Sequence, residues 1–273
     1  MSETAPKTGD WSEADLDLVT GDYFVMLAKQ LAGQTVNAAS HQRALRFVTG
    51  RAGGSIAFRQ SHISAVLTLI GLPVVRDFAP RWKLPDAVVD AVDRQLALRP
   101  GLILAASRPA VLFSSREPLP LAEGPPPVFV AEQRQPSPRA EQLIARHDPA
   151  GRDQANAPLV EAGHRAVLAF EQRRLRQHGR ADLAEQVRLA RRPDDPPGHD
   201  ILSFTPTGQQ RLILVKTTTG GIATPLALSE AENALLAGRP DVCCLYRLHD
   251  LGGDLRFYKL RPHSEPADPP DLG

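Results

Sequence analysis

Eight of the chain's 25 prolines crowd into residues 118–149, at Pro118, Pro120, Pro125, Pro126, Pro127, Pro136, Pro138 and Pro149. Each fixes φ and removes a backbone donor, so no long helix or inner strand can pass through this stretch. It reads as an extended Pro-rich linker over 116–155, with room for one short helix near Arg139 to Arg146. The 273 residues are thereby divided into an N-terminal part, 1–115, and a C-terminal part, 156–263. Each is long enough to build its own core. The Pro-rich, acidic tail 264–273 reads as disordered.

The N-terminal part reads as a helical module. From Ala14 to Leu31 apolar residues recur at helical spacing, with Ser12 placed to cap the start and Gly33 to stop the end. Ser61 to Ile70 reads as a second helix, closed by Gly71 and Pro73. Asp86 to Leu96 is a third, with Val88, Val89, Val92 and Leu96 as its apolar stripe. Arg59, Gln60, Ser61, His62 and Ser64 are residue types that could line a helix reading DNA. The commoner use of such a module is to support the fold or to bind a partner protein.

In the C-terminal part the pattern changes to one helix and then a series of strands. Leu159, Gly163, Ala166, Val167 and Phe170 share one helical face. Asp200 to Phe204, Arg211 to Lys216, Val242 to Leu248 and Arg256 to Leu260 read as strands, the first two joined through Thr205-Pro-Thr-Gly. Ser229 to Leu236 reads as a helix opened by a capping box of Ser229 and Glu232. The fold class expected is α+β or α/β: a helical module, a linker, and a mixed β-sheet flanked by helices.

An apolar fraction of 42% and a net charge of +1 belong to a globular protein without a general basic coat. No apolar stretch reaches the roughly 20 residues that span a bilayer, and the polar start lacks a signal-peptide core, so no membrane association and a cytoplasmic location are expected. The adjacent Cys243 and Cys244 have neither disulfide nor zinc spacing, and read as small residues of a strand. Walker loops, dinucleotide fingerprints, G-x-S-x-G elbows and HExxH are absent from the sequence.

The residues that carry chemistry are Asp200, opening one strand, and Lys216, closing the next after a spacer of 15 residues. Period-two alternation puts Leu212, Leu214 and Lys216 on one face of their strand. In the PD-(D/E)xK nucleases a first Asp and a second acid, two residues before the Lys, hold Mg²⁺. The ion polarises the scissile phosphate and lowers the pKa of its water, and the lysine stabilises the developing charge.

Gly198-His-Asp-Ile-Leu-Ser-Phe, Arg211-Leu-Ile-Leu-Val-Lys-Thr-Thr, Thr224-Pro-Leu-Ala-Leu-Ser-Glu-Ala-Glu and Leu245-Tyr-Arg-Leu, in that order, resemble the C-terminal domain of the plant protein NO VEIN. That domain of unknown function is similar to the restriction-endonuclease-like superfamily. The resemblance covers about 156–262 and extends more weakly to Asp22-Tyr-Phe, His41-Gln-Arg-Ala-Leu and the run from Gly54 to Leu67, which look like the helical region accompanying this domain in bacterial proteins. The strand motif it implies is Glu-Val-Lys-Thr-Thr. Here Lys216, Thr217 and Thr218 match, and Leu214 occupies the glutamate position. The implied Gly-Glu pair on the first helix is Gly163-His164, and Asp200 matches the first acid.

Leucine cannot ligate a metal, so the expectation is a degenerate nuclease with weak or no cleavage, accessory to DNA processing or defence, binding DNA or, through the helical module, a partner protein. Asp200 and Lys216 are then vestigial catalytic residues, Asp200 a weak metal ligand at most, and no cofactor is certain, with Mg²⁺ required only if the enzyme is active. One alternative is an active nuclease with a substitute for the lost acid: Glu161, one turn before His164, is the first choice, His164 itself the second, and Glu171 is further along the axis. The other is a protein-interaction scaffold. From Glu171 to Arg192 seven arginines stand against three acids, and Arg173, Arg174, Arg176 and Arg180 are the candidates for contacting phosphates.

Overall fold

A computed structural model describes residues 8–101, 120–128, 135–250 and 255–261. Within them the chain forms two compact units, a helical unit of residues 8–101, 135–149 and 223–225, and a sheet unit of 120–128, 150–222, 226–250 and 255–261. Among the described residues no helix is long and apolar enough to cross a membrane. The tail 264–273 lies outside the described residues.

The helical unit is built from α1 (Glu13–Leu31), α2 (Ala38–Thr49), α3 (Gly53–Leu69), α4 (Asp86–Ala97) and α5 (Pro138–His147). As the sequence suggests, the Ser12 side chain caps α1, accepting from the Asp15 N–H at 3.2 Å. Leu16, Val19, Tyr23, Phe24 and Leu27 of α1 pack with Val88, Val89, Val92 and Leu96 of α4 and with Ile56, Ile63 and Leu67 of α3 in one core. α3 departs from the reading of a DNA-facing helix. Its Gln60 and Ser64 are fully buried and His62 is only 2% exposed. Ser64 Oγ lies 2.7 Å from the Tyr23 hydroxyl, which accepts from the Val75 N–H at 2.9 Å. Ser64 thus ties α3 to α1, and Gln60 Oε1 accepts from Gln42 of α2 at 3.1 Å.

The proline-dense stretch, expected as an extended linker over 116–155, contains ordered elements. α5 begins at Pro138, where a missing N–H costs nothing because the first turn has no intrahelical partner for it. Ala140 and Leu143 are buried in the helical core. Arg139 donates to Asp90 and Asp93 of α4, and Arg146 donates to Asp93 at 2.7 Å. The apolar face of Pro138–His147, rather than proline density, decides its fate.

The sheet unit contains α6 (Pro149–Ala155), α7 (Ala157–Gln177), α8 (Ala181–Ala184), α9 (Glu230–Gly238) and the strands β1 (Ala122–Glu123), β2 (Arg188–Leu189), β3 (Ile201–Phe204), β4 (Gln210–Thr217), β5 (Cys243–His249) and β6 (Arg256–Leu260). The strands form a mixed sheet in the order β1-β6-β5-β4-β3-β2. β4 pairs antiparallel with β3 and parallel with β5, the crossover running through α9. One face carries Ile201, Ile213, Val215, Tyr246, Leu248 and Phe257 against Leu159, Ala166 and Val167 of α7. The other carries Leu212, Leu214, Cys243 and Leu245 against Leu235 of α9. This mixed α/β architecture is the one the periodicities predict.

Two glycines let the helices close on the sheet. A Cβ on Gly163 would sit 1.9 Å from Thr217 Oγ1, so only hydrogen allows α7 to lie this near β4. Gly198, at φ +93°, precedes β3 where a Cβ would be 2.5 Å from the Ala231 carbonyl oxygen of α9.

Candidate functional site

The parallel pair β4 and β5 puts Lys216 and Arg247 directly beside one another in register. Both face the α9 side, and both lie near the carboxyl ends of their strands, where open α/β sheets keep their ligand crevices. A cavity of about 120 Å³ occupies this end of the sheet. β4 contributes Val215, Lys216 and Thr217 to its wall, β5 Arg247, α7 Val160 and His164, α6 Asp153 and Gln154, and α9 Glu232, while Asp200 enters from the start of β3.

The structure therefore brings Asp200, Lys216 and His164 together. Asp200 turns around the end of the sheet: its Oδ2 accepts from the Val215 N–H at 2.7 Å, and Oδ1 lies 3.4 Å from His164 Nε2. The two side chains are 28% and 19% exposed and form the mouth. Lys216 is 2.8 Å from Glu232 Oε2. That same oxygen accepts the Ser229 N–H at 2.7 Å as one half of the capping box. Glu232 thus closes the first turn of α9 and neutralises Lys216, and the sequence signal for it was read only as a cap.

Deeper in, Asp153 and Arg247 are 6% and 2% exposed. Burial pushes the Asp153 carboxyl above its ordinary value, opposed by hydrogen bonds from Thr218 and Thr219 and by the charges of Arg247 and Arg152. Asp153 had no signal in the sequence, because it falls in the stretch read as linker.

The other candidates lie elsewhere. Leu214 is fully buried among Leu212, Leu235, Cys243 and Leu245. Glu161, the proposed replacement acid, has a side chain 63% exposed and pairs with Arg165 at 3.4 Å on the outside of α7, away from the cavity wall. Glu171 is fully buried in a network of its own, accepting from Arg174 at 2.7 Å, Ser203 Oγ at 2.6 Å and the Tyr246 hydroxyl at 2.8 Å. Burial alone would raise its pKa, but these donors bring it below the ordinary carboxylate value. Among the candidate phosphate contacts, Arg174 is committed to Glu171 and the Phe204 carbonyl, and Arg180 to Asp182 and the Pro206 carbonyl. Arg173 and Arg176 remain exposed on α7, as do Arg191 and Arg192 beyond β2. Cys243 and Cys244 are buried thiols of β5, as their apolar surroundings in the sequence indicate.

Mg²⁺, which the resemblance implies for an active enzyme, does not fit these residues. It demands several oxygens in near-octahedral array. Asp200 has one oxygen committed to a backbone N–H and the other turned to an imidazole, and the second ligand position is an apolar side chain inside a packed cluster. Among the described residues no three His, Cys, Asp or Glu side chains converge as a metal-holding group. No family model, no curated protein and no solved structure matches the chain.

Proposed function

We propose that the sheet unit is a nuclease-like domain of the PD-(D/E)xK kind, related to the NO VEIN C-terminal domain, that no longer cleaves with Mg²⁺ and serves as a nucleic-acid-binding accessory in DNA processing or defence. One observation carries this reading. Asp200 and Lys216, from neighbouring strands, line one cavity, while the position two before the lysine is a buried leucine and the lysine's charge is already matched by Glu232. The frame of a metal-nuclease site is retained and its ion-holding half is replaced by packing. Exposed Arg173, Arg176, Arg191 and Arg192 supply positive charge for phosphate contacts of the salt-sensitive kind.

The test is incubation of the full chain with plasmid DNA, single-stranded DNA and RNA in Mg²⁺ and Mn²⁺, alongside binding titrations at several salt concentrations. The expected result is no cutting and an affinity that falls steeply with salt, more weakly held after Arg173→Ala with Arg176→Ala. Cutting abolished by Asp200→Ala or Lys216→Ala refutes the loss of cleavage, and absence of salt-dependent binding refutes the accessory role. A second reading, a protein-interaction scaffold, is favoured by α2, whose Phe47 and Val48 are 92% and 63% exposed.

A further inference from the structure

Helices α1 and α2 leave a continuous apolar strip on the outside of the helical unit. They run antiparallel: His41, near the start of α2, meets Asp22 of α1 at 2.7 Å, while Arg51, just past the end of α2, meets Asp15 at 3.3 Å. Leu18 lies one turn before Asp22, and Ala44 and Val48 lie one and two turns after His41, so these side chains border the same groove. Val25 continues the strip along α1, and Phe47 widens it across α2. Leu18, Val25, Val48 and Phe47 are 46%, 44%, 63% and 92% exposed. A bare phenyl ring beside three aliphatic side chains is a patch that monomers seldom display without a use for it.

The two borders of the strip carry opposite charge. At about 100° per residue, Asp17 is about 140° round α1 from Asp22, and so on the border away from α2. Glu13 stands one turn before it, and the two acids share a single cation, Arg94, at 3.4 and 2.8 Å. Arg43 is about 160° round α2 from His41, on the border away from α1. It is exposed, α2 contains no acidic residue, and Arg43 has no ion-pair partner among the described residues. Lys29, the cation of α1, lies two turns beyond Asp22, past the start of α2.

We infer that this strip is the surface through which the chain pairs with a second copy of itself, α1 of each protomer lying on α2 of its partner. A two-fold axis running along the helices sets the acidic border of one copy against the basic border of the other, with the apolar strips between them. An axis across the helices would bring acid to acid, which the charge pattern disfavours. A nucleic-acid strand fits less well, because it would meet Glu13 and Asp17 and three aliphatic side chains on which bases do not stack. The inference rests on the scaffold reading of α2, to which it gives a partner, and is independent of the nuclease ancestry.

Sedimentation equilibrium of the full chain over a wide range of concentration tests it. A reversible monomer–dimer equilibrium is expected, weakened about tenfold or more by Phe47→Asp and about threefold or more by Arg43→Glu. Both positions are exposed, so the fold tolerates the changes. A chain that stays monomeric at the highest concentration overturns the proposal. So does association that continues past the dimer, or a dimer that either substitution leaves unchanged. The fluorescence of Phe47→Trp, taken as the difference from wild type with its Trp11 and Trp82, separates this failure from failure of the scaffold reading. Emission that moves to the blue as the dimer forms supports pairing through α2. Emission that stays red at every concentration overturns pairing and leaves the face open to a different protein. Emission already blue in the monomer means that the ring is covered within the chain, and overturns both.

Discussion

Leu214→Glu, which installs the acid that the proposed nuclease ancestry implies, is the perturbation that separates a lost ligand from a packed core. If the position were still an ion's seat, glutamate would be tolerated and would bring Mg²⁺ affinity with it. The structure predicts otherwise. Leu214 has no exposed surface and packs with Leu212, Leu235, Cys243 and Leu245 beneath α9. Removing a fully buried leucine forfeits about 1.5–3 kcal/mol. Forcing a carboxyl into the same space adds about 2–3 kcal/mol, whether it stays charged or takes up a proton. Lys216 offers no rescue, because its ammonium is already 2.8 Å from Glu232. The sum, about 3.5–6 kcal/mol, is comparable with the whole stability of many domains. At about 4 °C per kcal/mol for a unit of this size, the melting temperature falls by about 15–25 °C. Circular dichroism melts of wild type, Leu214→Glu and the volume-conserving control Leu214→Met, with and without Mg²⁺, measure it. The control is expected to cost less than about 1.5 kcal/mol. A glutamate variant that melts within a few degrees of wild type and is stabilised by Mg²⁺ would refute the reasoning.

Three further outcomes follow from particular contacts. Glu171→Gln breaks a buried pair with Arg174 and is expected to cost about 3–5 kcal/mol in urea unfolding. Because its folded pKa is depressed, Glu171 contributes stability above the ordinary value of 4.5 that is lost as pH falls through the folded value, so the variant's stability curve is flatter on the acid side. In the helical unit, burial and then the charges of Arg59 and Arg81 push His62 down from 6.5 to about 4, so the unfolded chain binds the proton first and stability declines as pH drops from 6.5 towards 4. Replacing His62 with Gln removes that slope, and an unchanged slope would contradict it. Gly163→Ala drives a methyl into Thr217 Oγ1 and is expected to cost about 1–3 kcal/mol. Adding Thr217→Ala recovers part of the loss, and strict additivity of the two changes would show that they do not meet.

Much of the framework is local and so was legible in the chain. Ser12, Ser229 with Glu232, Gly33 and the stripe of Val88, Val89, Val92 and Leu96 act within a turn or two of themselves, and each does what its spacing indicates. The short helix expected near Arg139 to Arg146 is present as α5, opened by Pro138 at no cost and held by the buried Ala140 and Leu143. Local rules mislead at α6, Pro149–Ala155, which falls in the stretch read as linker. Gln60, His62 and Ser64 show the same in reverse, since polar residues look like surface until another helix supplies their partners.

What the sequence alone determined is the order of elements and the nearness of Asp200 to Lys216, because two adjacent strands with one turn between them fix which side chains meet. It also placed a leucine, Leu214, two residues before that lysine. What only the tertiary structure decided is who answers each charge. Glu232 reaches Lys216 across a crossover helix, Asp153 comes to Arg247 from 94 positions earlier in the chain, and Glu171 is shut away with Arg174, Ser203 and Tyr246. Such pairings depend on helix placement over a sheet, where separation in sequence carries no information about separation in space.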